Sequence, residues 1–353
     1  KENCIHVANG TYRLEEGLTK DKEFCRNRLP VAYHPDAPKP VRWLGFLNEL
    51  LIPEDILTLQ EYMGYCLIPT TKAQKMLMLV GQGGEGKSRI GVVMRALFGE
   101  NMVNGNLTKV ETNRFARADL EHVLVMVDDD MKLEALPQTN YIKTIITAEL
   151  PLDLEKKSRQ SYQGELYCRF LGFGNGSLKA LYDRSDGFFR RQIILTTKKK
   201  NKNRVDDPYL SEKLIAEKDG ILLWCLEGLH RLIAQNYKFT ISERTRENMA
   251  EAISAGVVTG VTALIIYEIL NALFGRGLSV PHLEVTTITI AGHFAAILLI
   301  AMGFAGGFLY LIFHKIAVFL FSFFEGKNLE ITSALLGALI LGLIGTSLPM
   351  SMF

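Results

Sequence analysis

Eight residues, Gly81-Gln82-Gly83-Gly84-Glu85-Gly86-Lys87-Ser88, constrain this chain more than any other feature. They follow a short apolar run, Lys75 to Val80, and open a stretch from Ser88 to Phe98 whose apolar residues recur at helical spacing. Strand, glycine turn and helix in that order is the context in which such a loop holds phosphate. Glycines let backbone N–H groups turn inward around phosphate oxygens, where side chains would block the approach. A lysine places positive charge on the β- and γ-phosphates, a serine hydroxyl can ligate Mg²⁺, and the helix start points its positive dipole end at the anion. The predicted nucleotide-binding set is therefore Gly81, Gly83, Gly84, Glu85, Gly86, Lys87 and Ser88, with ATP and Mg²⁺ as ligands.

Further along, Val123-Leu124-Val125-Met126-Val127 is an apolar strand that runs into Asp128-Asp129-Asp130. Carboxylates at a strand end can hold Mg²⁺ through water and orient the attacking water. Consecutive acids leave the register open: Asp129 and Asp130 come first, with Asp128 close behind. A third strand, Arg169 to Phe173, continues to Asn175. An amide there can hydrogen-bond both a γ-phosphate and a water, although Asn-Gly alone reads as a turn. Phe188-Phe189-Arg190-Arg191 leads into a fourth strand, Gln192 to Thr196. An arginine in that place either reaches the nucleotide of a neighbouring subunit or pairs on the surface. Strands alternating with helical patterns predict an α/β sheet covered on both faces. Two basic groups are candidate DNA contacts. Lys156, Lys157 and Arg159 precede Tyr162 in a stretch that reads as a hairpin. Lys198 to Lys200, with Lys202 and Arg204, follow the fourth strand and read rather as a solvated loop.

Before the loop, residues 1 to about 40 carry turn signals such as Asn9-Gly10 and Pro30. Val41 to Leu67 shows the spacing of two packed helices, and Ile221 to Ile233 that of an amphipathic one. The 353 residues allow two domains, and the formal net charge of +2 permits nucleic-acid binding without arguing for it. The five cysteines are irregularly spaced with no CxxC, which disfavours a disulfide framework and suits a reducing compartment. Cys4, His6, Cys25 and His34 match no zinc spacing, and the opening residues carry no signal-peptide pattern.

The order of these features matters more than any one of them. Glycine loop, acidic strand end, basic hairpin, strand ending in asparagine and arginine before a strand all fall between Gly81 and Arg191. In that order and compactness the chain resembles superfamily 3 helicases. More narrowly, it resembles the helicase part of phage and plasmid primases related to the phage P4 and poxvirus D5 proteins. Asn9-Gly10-Thr11-Tyr12, Leu29-Pro30-Val31-Ala32-Tyr33 and Gln60-Glu61-Tyr62-Met63-Gly64-Tyr65 are similar to the small domain before that ATPase. Gly220-Ile221-Leu222-Leu223-Trp224 with Glu227-Gly228-Leu229 is similar to the helix that closes it. The resemblance implies an AAA+-like P-loop core at 71–205, a small N-terminal domain at 1–70 and a closing helical segment at 206–250.

It also implies an ATP-dependent DNA helicase of a phage, prophage or plasmid replication system. Such an enzyme works as a ring, usually a hexamer, with ATP between subunits and DNA in a central channel. By position, Lys87 and Ser88 bind phosphate and Mg²⁺, Asp129 and Asp130 form the Walker B pair, and Asn175 is the sensor. Arg191 or Arg190 is the trans-acting finger, and Lys156 or Lys157 is the hairpin contact. Glu85 stands where this family often has asparagine, a change expected to be tolerated because the loop works mostly through its backbone. Primer synthesis is not implied, and residues 1–250 are expected in the cytoplasm.

Residues 251–353 change character. They hold three basic residues, Arg276, Lys315 and Lys327, and five acidic ones. Phe294 to Phe313 and Ile331 to Met352 carry no charge, and Ile253 to Phe274 is mostly apolar. About 20 apolar residues span a bilayer as a helix, and small residues such as Gly303 and Gly342 suit close packing in lipid. The tail weakly resembles an interior stretch of chloride-channel-family proteins at Ser254-Ala255-Gly256, Gly303-Phe304-Ala305-Gly306-Gly307 and Gly342-Leu343-Ile344-Gly345. The expectation is an all-α hydrophobic tail of two to three transmembrane helices, fused near residue 250, with membrane association through it. Two readings then compete with the helicase: a membrane-tethered P-loop ATPase that does not act on DNA, and a channel or transporter fragment fused to an ATPase.

Overall fold

Alternation of apolar side chains along the central strands explains how the fold is layered. The computed structural model describes residues 3–131, 139–176, 188, 190–200 and 206–249, all within one unit, Lys1–Ile269; the second unit, Leu270–Phe353, lies outside them. In β4 (Met76–Gly81), Leu77 and Leu79 enter one core while Met76, Met78 and Val80 enter another. The same division runs through β6 (Val125–Met131), β9 (Arg169–Asn175) and β10 (Gln192–Thr196). A strand whose two faces are both buried must be apolar throughout, which is why these runs are legible in sequence. With β5 (Met102–Asn104) they form a parallel sheet in the order β10-β4-β9-β6-β5. From β4 the chain crosses to the β5 edge, returns through β6 and β9, and then passes to the other side of β4. Open parallel sheets bind ligands beyond the carboxyl ends of their strands where the order reverses, and the glycine loop leaves β4 at that end.

At the N-terminus β1 (Cys4–Val7), β2 (Gly10–Arg13) and β3 (Gly17–Thr19) form an antiparallel meander. The turn predicted at Asn9-Gly10 falls one residue earlier, since Gly10 already pairs with Val7. Asn9 instead latches a later segment: its amide donates to Tyr33 O at 2.8 Å and accepts from Tyr33 N at 2.9 Å.

The predicted helix pair is α1 (Val41–Leu50) and α2 (Pro53–Tyr65), with Pro53 and the acids Glu54 and Asp55 in the first turn of α2. Beyond the glycine loop, α3 (Ser88–Phe98) lays Ile90, Val93, Met94 and Leu97 on the sheet. Short helices α4 (Leu107–Thr112) and α5 (Arg114–Ala118) start where Asn106 and Asn113 cap them, and α6 (Asn140–Ile146) follows β6. Strands β7 (Leu152–Leu154) and β8 (Tyr162–Gly164) form the expected hairpin, with the basic residues in its loop. Then α7 (Leu210–Ile215) and α8 (Lys218–Ala234) follow, and α8 packs along α2.

One expectation is corrected. A bilayer-spanning helix needs about 20 apolar residues. The longest helix among the described residues, α8, has 17, and Lys218, Asp219, Glu227 and Arg231 lie on it. Among the described residues no helix is long and apolar enough to cross a membrane. The fused transmembrane tail, the membrane-tethered and channel-fragment readings built on it, the membrane as partner and membrane association are therefore not supported. The segment on which they were placed, 251–353, lies outside the described residues.

Candidate functional site

The glycine loop turns sharply because three of its residues take backbone conformations open mainly to glycine: φ is 106° at Gly83, 77° at Gly84 and 101° at Gly86. That path carries Lys87 to the residue that precedes α3 and buries its side chain. The Lys87 ammonium donates to Asn175 Oδ1 at 2.8 Å and pairs with Glu85 Oε2 at 2.9 Å. Asn175 reaches it because β9 lies beside β4, with Gly81 opposite Asn175 in the register. The predicted sensor and the predicted phosphate lysine, 88 residues apart in sequence, thus meet at the carboxyl edge of the sheet.

The acidic strand end resolves into separate roles. Asp128 is buried and accepts a hydrogen bond from Leu107 N at 2.8 Å, so it holds the start of α4. Burial pushes its carboxyl above the ordinary aspartate range; the N–H groups of Leu107 and Asp130 oppose that shift, and the charges of Asp130 and Asp129 add to it. Asp129 is exposed and borders a 540 Å³ cavity together with Gly84, Gly86, Lys87, Ser88, Arg89, Phe173 and Asn175. Asp130 is also exposed but does not line that cavity. The strand carries through the acids to Met131, with an irregular register against β9 between Asp128 and Met131.

The cavity has a wall that no motif marks. Asp206, Asp207, Pro208 and Leu210 close it, Arg89 donates to Ser211 Oγ at 2.8 Å, and Lys213 holds Asp207 at 2.6 Å. A second cavity of 640 Å³ shares Asp207 and Leu210, is lined also by Glu85, and runs between α1 and Lys198–Lys200. Of that basic group, Lys198 donates to Asn48 O at 2.8 Å, and Lys202 and Arg204 lie outside the described residues.

The remaining predicted residues stand apart from the loop. Arg190 and Arg191 lie at the amino end of β10, where Arg191 O accepts from Met76 N and Arg190 O from Lys75 Nζ. Since β10 runs parallel to β4, they sit at the opposite edge of the sheet from Lys87. In the hairpin loop Lys156 is tied down: its ammonium meets Glu121 Oε2 at 2.9 Å and lies 5.1 Å from the Tyr162 ring. Lys157 and Arg159 are exposed.

A five-stranded parallel sheet with a glycine loop between its strand β4 and the following helix defines the class: an α/β domain with a phosphate-loop geometry. Comparison with solved structures adds a particular fold. The chain is similar to the apo structure of the NrS-1 C-terminal region (305–718), at 15% identity and a TM-score of 0.54, over 72% of this chain and 59% of that one. It is also similar to the A form of that apo region, at 13% identity and a TM-score of 0.50, over 72% of this chain and 61% of that one. At these identities the likeness concerns the fold alone, and this chain spans about three fifths of the structures it matches. A family of unknown function, DUF5906, matches residues 79–191, the stretch that holds every predicted catalytic residue. No curated protein matches. The chloride-channel likeness of the tail is also corrected: the family match ends at residue 191 and the fold likeness is to the NrS-1 region.

Proposed function

We propose that this chain is a nucleoside triphosphate hydrolase that turns ATP hydrolysis into movement on DNA. The observation that carries the proposal is the meeting of Lys87 with Asn175 at 2.8 Å, on a cavity that Ser88 and Asp129 also line. The donor set fits its ligands. Lys87 and the loop N–H groups suit the oxygens of a triphosphate, and the Ser88 hydroxyl with the Asp129 carboxylate are the hard oxygen donors that suit Mg²⁺. When bound, Mg²⁺ would neutralise charge on the β- and γ-phosphates. Lys87 holds the γ-phosphate end, Asn175 senses whether that phosphate is present, and Asp129 orients the attacking water. Asp130, predicted as its partner, is assigned a supporting role at the strand end.

The DNA part of the proposal rests on the resemblance to superfamily 3 helicases and on the hairpin loop. Lys157 and Arg159 are its outward cations, while Lys156 positions the loop through Glu121. Charges of this kind bind the phosphate backbone without reading sequence. A ring with ATP between subunits gives Arg191 or Arg190 its place as the trans-acting finger.

The test is steady-state ATP hydrolysis by the full chain, with and without single-stranded DNA, beside Lys87→Ala. DNA is expected to raise turnover, and Lys87→Ala to lower it by at least about a hundredfold, which is roughly 2.7 kcal/mol of barrier. Unchanged turnover in the lysine variant would remove the assignment of the loop. Turnover indifferent to every DNA offered would leave an ATPase and remove the helicase.

A further inference from the structure

The Glu85 carboxylate is folded into the loop. Its Oε1 accepts hydrogen bonds from the backbone N–H groups of Gln82 at 2.6 Å and Gly83 at 3.0 Å. Its Oε2 accepts from Gly83 N at 3.0 Å and from the Lys87 ammonium at 2.9 Å. Only 4% of Glu85 and 6% of Lys87 is exposed. Main-chain N–H groups and an ammonium are the donors a phosphoryl oxygen takes in a loop of this kind. We propose that Glu85 is an internal competitor for Lys87, so that a nucleotide must take the lysine from it and binds more weakly for its presence. The proposal rests on the reading of the loop as a nucleotide site.

Its physical basis is charge in a place with little water. The Glu85–Lys87 pair is nearly shut off from solvent, so salt and water screen it weakly. A triphosphate carries several negative charges against the single charge of the carboxylate, so it wins the lysine, and Glu85 sets a threshold without closing the site. Once displaced, the carboxylate stays on the loop beside the phosphates and repels them. Both effects weaken ADP as well as ATP and favour release after hydrolysis. Asn175 does not compete in this way, because its amide oxygen is neutral and stabilises the ammonium without opposing an anion.

Glu85→Gln separates competition from bracing. Glutamine keeps the length and one carbonyl oxygen that can still accept from Gln82 and Gly83, and it removes the charge. The experiment is equilibrium titration of the full chain with fluorescent ATP and ADP analogues in the presence of Mg²⁺. It compares the wild type, Glu85→Gln, Glu85→Asn and Lys87→Ala, each checked for folding by its thermal transition. Both Glu85 variants are expected to bind the two analogues about tenfold more tightly, and Lys87→Ala to lose binding. If one Glu85 variant does not fold, the other decides. Equal or weaker binding by the folded variants, with Lys87→Ala still inactive in binding, makes Glu85 a brace and overturns this proposal alone. Binding by Lys87→Ala as tight as wild type, or none by wild type and the Glu85 variants, overturns the nucleotide reading and this proposal together.

Discussion

Asp128 and Asp129 are neighbours in different surroundings. Asp129 lines the cavity with Lys87 and Ser88, while Asp128 is buried and spends its oxygen on Leu107 N. Asp129→Asn should therefore lower ATP turnover by about a hundredfold or more, roughly 2.7 kcal/mol of barrier, with the fold intact. Asp128→Asn keeps an acceptor for Leu107 N and loses a charge that burial disfavours. The folded-state pKa of Asp128 lies above its unfolded value, so the unfolded chain ionises first. Stability is then lost as pH rises from the ordinary aspartate value through the raised one, and the asparagine variant escapes that loss. Urea unfolding at pH 4 and pH 7 checks the sign: the variant should gain relative to wild type at the higher pH. A larger gain at pH 4 would contradict it. These roles were not legible in the sequence, where three adjacent acids look alike. Which of them lines the cavity is set by how the end of β6 lies against its neighbours, which the sequence of one strand does not show. The placing of Lys87 and Asn175 at one end of the sheet was legible, because the apolar runs of β4 and β9 mark where each strand stops. The part played by Glu85 was not, since only the folded loop brings its carboxylate back to Gln82 and Gly83.

Among the elements, α2 and α8 cross where both lack a side chain. A Cβ on Gly64 would lie 2.3 Å from Cys225 O, and one on Gly228 would lie 2.4 Å from Gln60 O. Arg231 reinforces the crossing by pairing with Glu61 Oε1 at 2.6 Å and donating to Gln60 Oε1 at 2.8 Å. Helix propensity alone would favour Gly64→Ala by about 1 kcal/mol. Overpacking against a backbone carbonyl costs about 1–3 kcal/mol or more and opposes it. Gly64→Ala should thus destabilise by about 1–2 kcal/mol in urea, visible as a lower midpoint with an unchanged slope. A higher midpoint would mean that propensity wins and the close crossing is absent. Both glycines stand in segments quoted for the family resemblance, yet periodicity does not mark them, because a buried glycine adds nothing to an apolar pattern. Strand β5 was missed for a related reason: three residues at the sheet edge make too short a run to stand out. The two-sided strands β4, β6, β9 and β10 were legible because continuous burial demands continuous apolar sequence.

At the scale of the whole molecule the question is where Arg191 acts. It precedes β10, and Gln192 pairs with Met76 at the start of β4, while the loop leaves β4 at the other end. The rise along that strand is about 3.3 Å per residue, which puts the two edges roughly 17 Å apart. An arginine side chain does not cover that span, so Arg191 cannot touch phosphate bound at Lys87 of its own chain. If it serves hydrolysis, it does so on a neighbour, and the proposed ring supplies one. Mixing tests this directly. Lys87→Ala and Arg191→Ala should each be inactive alone. In mixed rings some interfaces pair an intact Lys87 loop from one variant with an intact Arg191 from the other. Turnover should then reappear on mixing and reach a maximum near equal proportions, measured as ATP hydrolysis at constant total protein. A mixture no more active than its parts, with exchange of subunits verified by fluorescence transfer, would mean that Arg191 does not serve a neighbour's nucleotide. Arg190→Ala, run in the same series, decides between the two arginines: the one that complements is the finger.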